Sequence, residues 1–231
     1  MTTVTLPGVY TPQDDTALLL RHLLHEPLPA QAEVLDVGTG TGAVALAAAR
    51  LGARVTAVDI SWRAAFNAKV NAMLARLPLR VRRGDLLAPV SGRSFDLILS
   101  NPPYVPAPAA SCPRRGAARA WDAGHDGRLV LDRICEDAPA LLRPGGVLLL
   151  VQSALSDPEK SLRQLRATAL RAEIMEHHPI TFGPVLRSRN GWLRACGLIE
   201  GEGEGAGADA DADVDDDEKE ELVIIRAVRL G

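Results

Sequence analysis

The sequence predicts an α/β protein built on a doubly wound, mainly parallel sheet. Two observations carry this. Short apolar runs (AEVLDV, RVTAVD, LRVRR, FDLILS, GVLLLVQ) recur along the chain, and most are followed by turn residues and then a helical segment. Strands that alternate with helices imply βαβ units, which pair their strands in parallel. The length of 231 residues suits one large domain. The hydrophobic fraction of 47% is ample for a core, but aromatics are only 3%, so Ala, Leu and Val must build it.

The elements follow in order. MTTVTLPGVYTPQDD has no basic start and no apolar run, so no secretory signal is expected. Asp15 and Thr16 then precede ALLLRHLL, a short helix. The strand AEVLDV leads to residues 42–51, helical by composition. RVTAVD leads to residues 61–75, a helix with Ser61 as its N-cap. LRVRR and FDLILS are the next strands, the second a buried one. Residues 129–142 have helical spacing and stop at Pro144-Gly145-Gly146, ahead of GVLLLVQ. Ser156-Asp157-Pro158-Glu159 opens another helix, with proline in its first turn. AEIMEHH and ELVIIRAVRL read as the last strands.

Residues 200–221 interrupt this pattern. They hold 12 of the 29 acidic residues and one lysine, so the net charge of −3 divides into −11 here and +8 elsewhere. Gly, Ala and Asp dominate, and such a run cannot bury enough surface to offset its ordering entropy. The expectation is a disordered acidic loop inserted into a single domain spanning 1–231. The sharper reading of this run is a strip that covers the basic body, either autoinhibitory or mimicking nucleic acid.

Composition also excludes classes. The apolar runs are far shorter than the about 20 residues a bilayer requires, so no membrane partner is expected. Cys112, Cys135 and Cys196 form no CxxC pair, which points away from a zinc site or a disulfide framework and towards a reducing compartment, the cytoplasm. His125 has no second ligand at metal spacing, and His177 and His178 point to opposite faces of a strand. The three tryptophans are read as core or loop anchors.

The chemistry begins at LDVGTGTGAVALAAA. Gly38, Gly40 and Gly42 are spaced GxGxG at the end of the first strand, where open α/β sheets bind ligands. Asp36 sits beside the loop. It would repel a pyrophosphate but suits a ligand that presents an ammonium group. Asp59 ends the second strand, 23 residues on, where ribose hydroxyls find an acidic partner. Asp85, followed by Leu86, is placed after the third strand to accept from an exocyclic amine. An ammonium, a ribose and an adenine without phosphate describe S-adenosyl-L-methionine. This region resembles the Rossmann-like fold of the class I methyltransferases. The resemblance implies a seven-stranded sheet, mainly parallel, with an antiparallel last strand.

Ser100-Asn101-Pro102-Pro103-Tyr104 closes FDLIL with unusual rigidity, since proline fixes φ and restricts the residue before it. Placed after those acidic positions, NPPY resembles the methyltransferases that modify planar nitrogens. An amide or exocyclic nitrogen has a delocalised lone pair, so an enzyme must orient it and accept its hydrogens. The resemblance gives the Asn101 side-chain oxygen and the Pro102 carbonyl those roles, with Pro103 bracing the turn and Tyr104 stacking on the planar group.

Two further segments narrow the likeness. Tyr10, Pro12, Asp15 and Thr16 match a Tyr-x-Pro-x-x-Asp-Thr pattern, and Trp121, Gly124, Gly127 and Arg128 match Trp-x-x-Gly-x-x-Gly-Arg. Both resemble the compact protein-(glutamine-N5) methyltransferases that modify peptide-chain release factors. That resemblance implies residues 1–30 as a segment covering the cofactor, Thr16 and Asn101 among the cofactor contacts, and a Gly-Gly-Gln loop as the acceptor. It also implies, for some members, a small activator subunit. An RNA or DNA amine is the alternative acceptor, and the basic remainder speaks for it; the cluster Arg114, Arg115 and Arg119 is read either as a bland surface loop or as a clamp for an acidic protein or RNA surface. A non-catalytic cofactor-binding scaffold is the other alternative.

Overall fold

A computed structural model describes residues 3–114, 116–199 and 218–231. Seven strands form one sheet: β1 (Glu33–Val37), β2 (Arg54–Asp59), β3 (Leu79–Arg83), β4 (Phe95–Ser100), β5 (Leu142–Ser153), β6 (Leu170–Thr181) and β7 (Lys219–Arg229). Their order is β3-β2-β1-β4-β5-β7-β6. The first five run parallel, and β7 is antiparallel to both neighbours. The order reverses between β1 and β4, which makes the crevice beyond their carboxyl ends the expected ligand site. The doubly wound sheet, its seven strands and its antiparallel last strand all appear as expected. The last strand is inserted between β5 and β6.

Among the described residues, seven α-helices complete the layers: α1 (Asp14–His25), α2 (Ala43–Arg50), α3 (Trp62–Ala75), α4 (Leu131–Leu141), α5 (Pro158–Ala167) and the short α6 (Pro184–Arg187) and α7 (Asn190–Ala195). The core is aliphatic: Val34, Leu35, Val58, Leu97, Ile98, Leu99, Leu148 and Leu150 are fully buried. Local signals set several helix ends. The Ser61 side chain accepts from Ala64 N at the start of α3, and Asp157 accepts from Lys160 N ahead of Pro158 in α5. Among the described residues, no helix is long and apolar enough to cross a membrane.

Three boundaries differ from the expectation. Asp15 and Thr16 lie inside the first turn of α1, where acidic Asp14 and Asp15 meet the positive end of the helix dipole. β5 starts at Leu142, directly after α4, so Arg143–Gly146 bend within the strand rather than before it. Of the acidic run, residues 200–217 lie outside the described residues. Lys219, Glu220 and Glu221 are not loop but the start of β7, and Glu218 takes bonds from Asn190 and Arg194. Trp62 is no core anchor: it is 59% exposed on α3. Trp192 packs beside the small cluster of Phe182, Leu186 and Leu193.

Candidate active site

A cleft of about 330 Å³ opens at the switch point. Its floor is the glycine loop after β1. Gly38 and Thr39 donate from their backbone nitrogens to Val58 O at 2.9 and 3.0 Å, which ties the loop to the end of β2. Gly40 has φ +55°, and a Cβ there would meet nothing within 4 Å, so the loop leaves space on the cleft side. Gly42 differs. Its Cβ would lie 3.1 Å from Ala68 Cβ, so this glycine lets α2 approach α3 and does not line the cleft. The GxGxG spacing alone could not separate these roles.

The expected carboxylates converge here. Asp36 is 2% exposed and accepts from Thr39 Oγ1 at 2.6 Å and Ala45 N at 3.2 Å. Burial pushes its carboxyl up to about 6, and those two bonds oppose the shift. Asp59 accepts from Gly40 N at 3.0 Å and Ser61 N at 2.8 Å, so one side chain holds both the loop and the start of α3. Burial raises its carboxyl as well. Asp85 lines the cleft but is half-exposed and takes a two-pronged bond from Arg133 of α4, at 3.2 and 2.7 Å. Leu86 beside it holds a left-handed φ of +44°.

A second wall, beside the loop at the end of β4, is Asn101 to Tyr104. Ser100 Oγ donates to Val37 O at 2.9 Å, pinning the end of β4 to β1. Asn101 Nδ2 donates to Thr16 Oγ1 at 3.3 Å. Neither Asn101 Oδ1 nor the Pro102 carbonyl accepts a hydrogen bond from any described residue, and both residues line the cleft. Tyr104 is largely buried, and its hydroxyl donates to Asp15 Oδ2 at 3.2 Å. The tyrosine is thereby anchored from behind, a contact the sequence did not disclose.

Residues far along the chain brace this wall. Ser156 Oγ donates to Tyr104 O at 2.6 Å. Gly127 has φ +69°, and a Cβ there would lie 2.2 Å from Tyr104 O and 2.6 Å from Ser156 Oγ. Arg128, 2% exposed, donates to Asp157 O, Ser161 Oγ, Gln164 Oε1 and Asp132 Oδ1 and fixes that corner. Arg189 donates to Pro106 O at 2.9 Å and to Asp122 at 2.7 Å, so the α6–α7 segment holds the loop after NPPY. Trp121 and Gly127 stood out in the sequence, but Ser156 and Arg189 had no local signal.

The mouth of the cleft is basic. Arg114 and Arg119 line it and, with Arg63 and Arg83, a neighbouring cavity of about 540 Å³. Arg115 lies outside the described residues. His125 sits 6.0 Å from Trp192, ring to ring.

The family model "Methyltransferase small domain" matches residues 1–112. MJ0928 of Methanocaldococcus jannaschii, named provisionally as a protein N5-glutamine methyltransferase, is 35% identical over 177 residues, 76% of this chain and 88% of its own. The release factor glutamine methyltransferase of Deinococcus radiodurans is 40% identical over 192 residues, 80% of this chain. The match spans only 65% of that bacterial relative. Among solved structures, the Mtq2–Trm112 complex of E. cuniculi, responsible for methylation of the termination factor eRF1, aligns with a TM-score of 0.64. The identity is 22%, covering 96% of this chain and 99% of the other.

Proposed function

The chain belongs to the protein N5-glutamine methyltransferases of the class I, S-adenosylmethionine-dependent type, and on that premise we propose that it methylates the side-chain nitrogen of a glutamine in a protein, in the Gly-Gly-Gln loop of a peptide-chain release factor. One observation carries the reading. Asn101 Oδ1 and the Pro102 carbonyl are two acceptors at the cleft wall with no internal donor among the described residues. A primary carboxamide brings two N–H donors and no basic lone pair.

The residues present fit the cofactor. Asp36 would receive its ammonium group, Asp59 its ribose hydroxyls, and Asp85 with Leu86 its adenine. The open face of Gly40 leaves room for its amino-acid portion, and Thr16 lines the cleft from α1. When bound, S-adenosylmethionine supplies a methyl group made electrophilic by a positive sulfur. The protein's part is orientation. Asn101 Oδ1 and Pro102 O would each accept one N–H of the glutamine, which localises the nitrogen lone pair towards the methyl; as the N–C bond forms the S–C bond breaks, and the surplus N–H proton leaves to solvent. Pro102 and Pro103 hold the backbone carbonyl in place, and Tyr104 bounds the planar group. In this reading the reaction takes place in the cytoplasm, where a small activator subunit like the one bound to the E. cuniculi neighbour is a candidate partner.

The test is transfer of labelled methyl from S-adenosylmethionine to purified release factor, with and without such a subunit. Label should enter the wild-type factor and not one whose Gly-Gly-Gln glutamine is changed to alanine. Label in both factors, or in neither under both conditions, would refute the reading. A second reading, an exocyclic amine of RNA, is supported by Arg63, Arg83, Arg114 and Arg119 beside the cleft. Binding of RNA that weakens steeply with salt, together with label in RNA, would favour it.

A further inference from the structure

Behind the acceptor wall sits a carboxylate that the transfer chemistry does not use. Asp15 is 5% exposed. Its Oδ1 accepts from Thr16 N at 2.5 Å and from Thr16 Oγ1 at 3.1 Å. Its Oδ2 accepts from Tyr10 OH at 2.7 Å and Tyr104 OH at 3.2 Å. Among the described residues no lysine, arginine or histidine forms an ion pair with it, so the side chain is held by these four donors.

We propose that Asp15 is the positioning residue of the acceptor site: it fixes the direction of the Thr16 hydroxyl, and through Thr16 it decides which end of the Asn101 carboxamide faces the substrate. Carboxylate oxygens accept, and each of the four groups around Asp15 is placed to point a hydrogen at one of them. The Thr16 hydroxyl has one hydrogen and spends it on Asp15 Oδ1. Towards Asn101 it can then only accept, which it does from Nδ2 at 3.3 Å. The amide nitrogen is thus drawn back against α1, and Oδ1 is left facing the cleft. If the Thr16 hydrogen pointed at Asn101 instead, the carboxamide would turn over. Its NH₂ would then meet the NH₂ of the acceptor, and two donors make no bond. The same carboxylate takes the Tyr104 hydroxyl, so one side chain sets both the amide and the ring that bound the substrate. Tyr10 fills the remaining site on Oδ2 and joins the N-terminal segment to the device.

The inference rests on the acceptor role of Asn101, and its test keeps the two apart. Asp15→Asn introduces donors where only an acceptor stood. With wild-type cofactor affinity held within about threefold, kcat should fall about 10²-fold, comparable with losing an oriented polar group of an active site. Thr16→Val should fall as Asp15→Asn does, and Thr16→Ser, which restores the hydroxyl, should recover most of that loss. In an Asn101→Ala background, Asp15→Asn should cost far less than it does in the wild type, because the amide it orients is gone and only its hold on Tyr104 remains to be lost. Full loss in Thr16→Ser, full activity in Asp15→Asn, or additive losses in the double variant would overturn the relay.

A readout without any acceptor completes the test. The side-chain ¹⁵N–¹H₂ resonances of Asn101, assigned by their loss in Asn101→Ala, should lose their hydrogen-bonded shift in Thr16→Val and keep it in Thr16→Ser. Unchanged resonances in Thr16→Val would sink the relay. Absence of methyl transfer by the wild type with intact resonance behaviour would instead count against the glutamine reading alone.

Discussion

The two walls of the cleft are built on different principles. The glycine-loop wall is held by neighbours: Gly38, Thr39 and Gly40 bond to the end of β2, and Asp59 reaches to Gly40 and Ser61. The Asn101–Tyr104 wall is held from a distance: Thr16, Asp15, Ser156 and, through the loop behind it, Arg189 come from separate parts of the chain. The first wall can form wherever a βαβ unit forms. The second exists only once α1, the turn before α5 and the α6–α7 segment have packed. Substitutions on the first should therefore act on cofactor binding, and those on the second on turnover or on the fold.

The largest expected effect is Asn101→Ala. Turnover should drop about 10²–10³-fold, as for removal of an oriented transition-state partner. Cofactor affinity by calorimetry should stay within a few-fold. Loss concentrated in cofactor affinity would break the division between the walls.

Glycine substitutions sharpen it. Gly127→Ala must fit a Cβ against Tyr104 O and Ser156 Oγ at a left-handed φ. Urea unfolding should show a loss of about 2–4 kcal/mol. Gly40→Ala meets open space and should cost the fold only about 1 kcal/mol of left-handed strain, while weakening cofactor binding. Equal stability losses in the two variants would remove the contrast.

Glu220 tests the distant wall through pH. It is 8% exposed, accepts from Ser153 Oγ at 2.7 Å and stands near enough to Asp15 to feel its charge. Burial is the main cause that pushes its carboxyl from 4.5 up to about 7. A folded value above the unfolded one means that the folded state binds the proton more tightly. The cost of ionising this group is absent below about pH 4.5, grows up to about pH 7 and is complete above it. Glu220→Gln removes that cost. The variant should match wild type near pH 4.5 and be more stable by about 3 kcal/mol at pH 8, a rise of several degrees in Tm. A stability gap that does not change with pH would contradict the buried carboxylate.

The smallest effect belongs to the near wall. Asp36 rests at about 6 because it is buried. A cationic cofactor favours its ionised form, so cofactor and proton compete. Affinity should be flat above pH 7 and fall towards about tenfold per unit below pH 6. Asp36→Asn should bind weakly at all pH values and lose the slope. A wild-type affinity independent of pH from 5 to 8 would remove Asp36 from contact with the ammonium.

Much of this molecule was determined by its sequence alone. The strand–helix alternation, the Ser61 cap, the Pro158 start of α5, the glycine loop, and Asp36 and Asp59 at two strand ends are all local features. They depend on residues a few positions apart, and backbone sterics and hydrogen bonding at that range do not need the rest of the fold. The tertiary structure decided what those residues do for one another. It placed β7 between β5 and β6, gave Asp85 to Arg133, set Gly42 against Ala68 and made Glu220 a buried carboxylate rather than part of an acidic loop. It also brought the Tyr104 hydroxyl to Asp15, 89 positions away. A hydrogen bond between distant residues leaves no spacing to read, because its geometry is set by the packing of whole elements and not by the path of the chain between them.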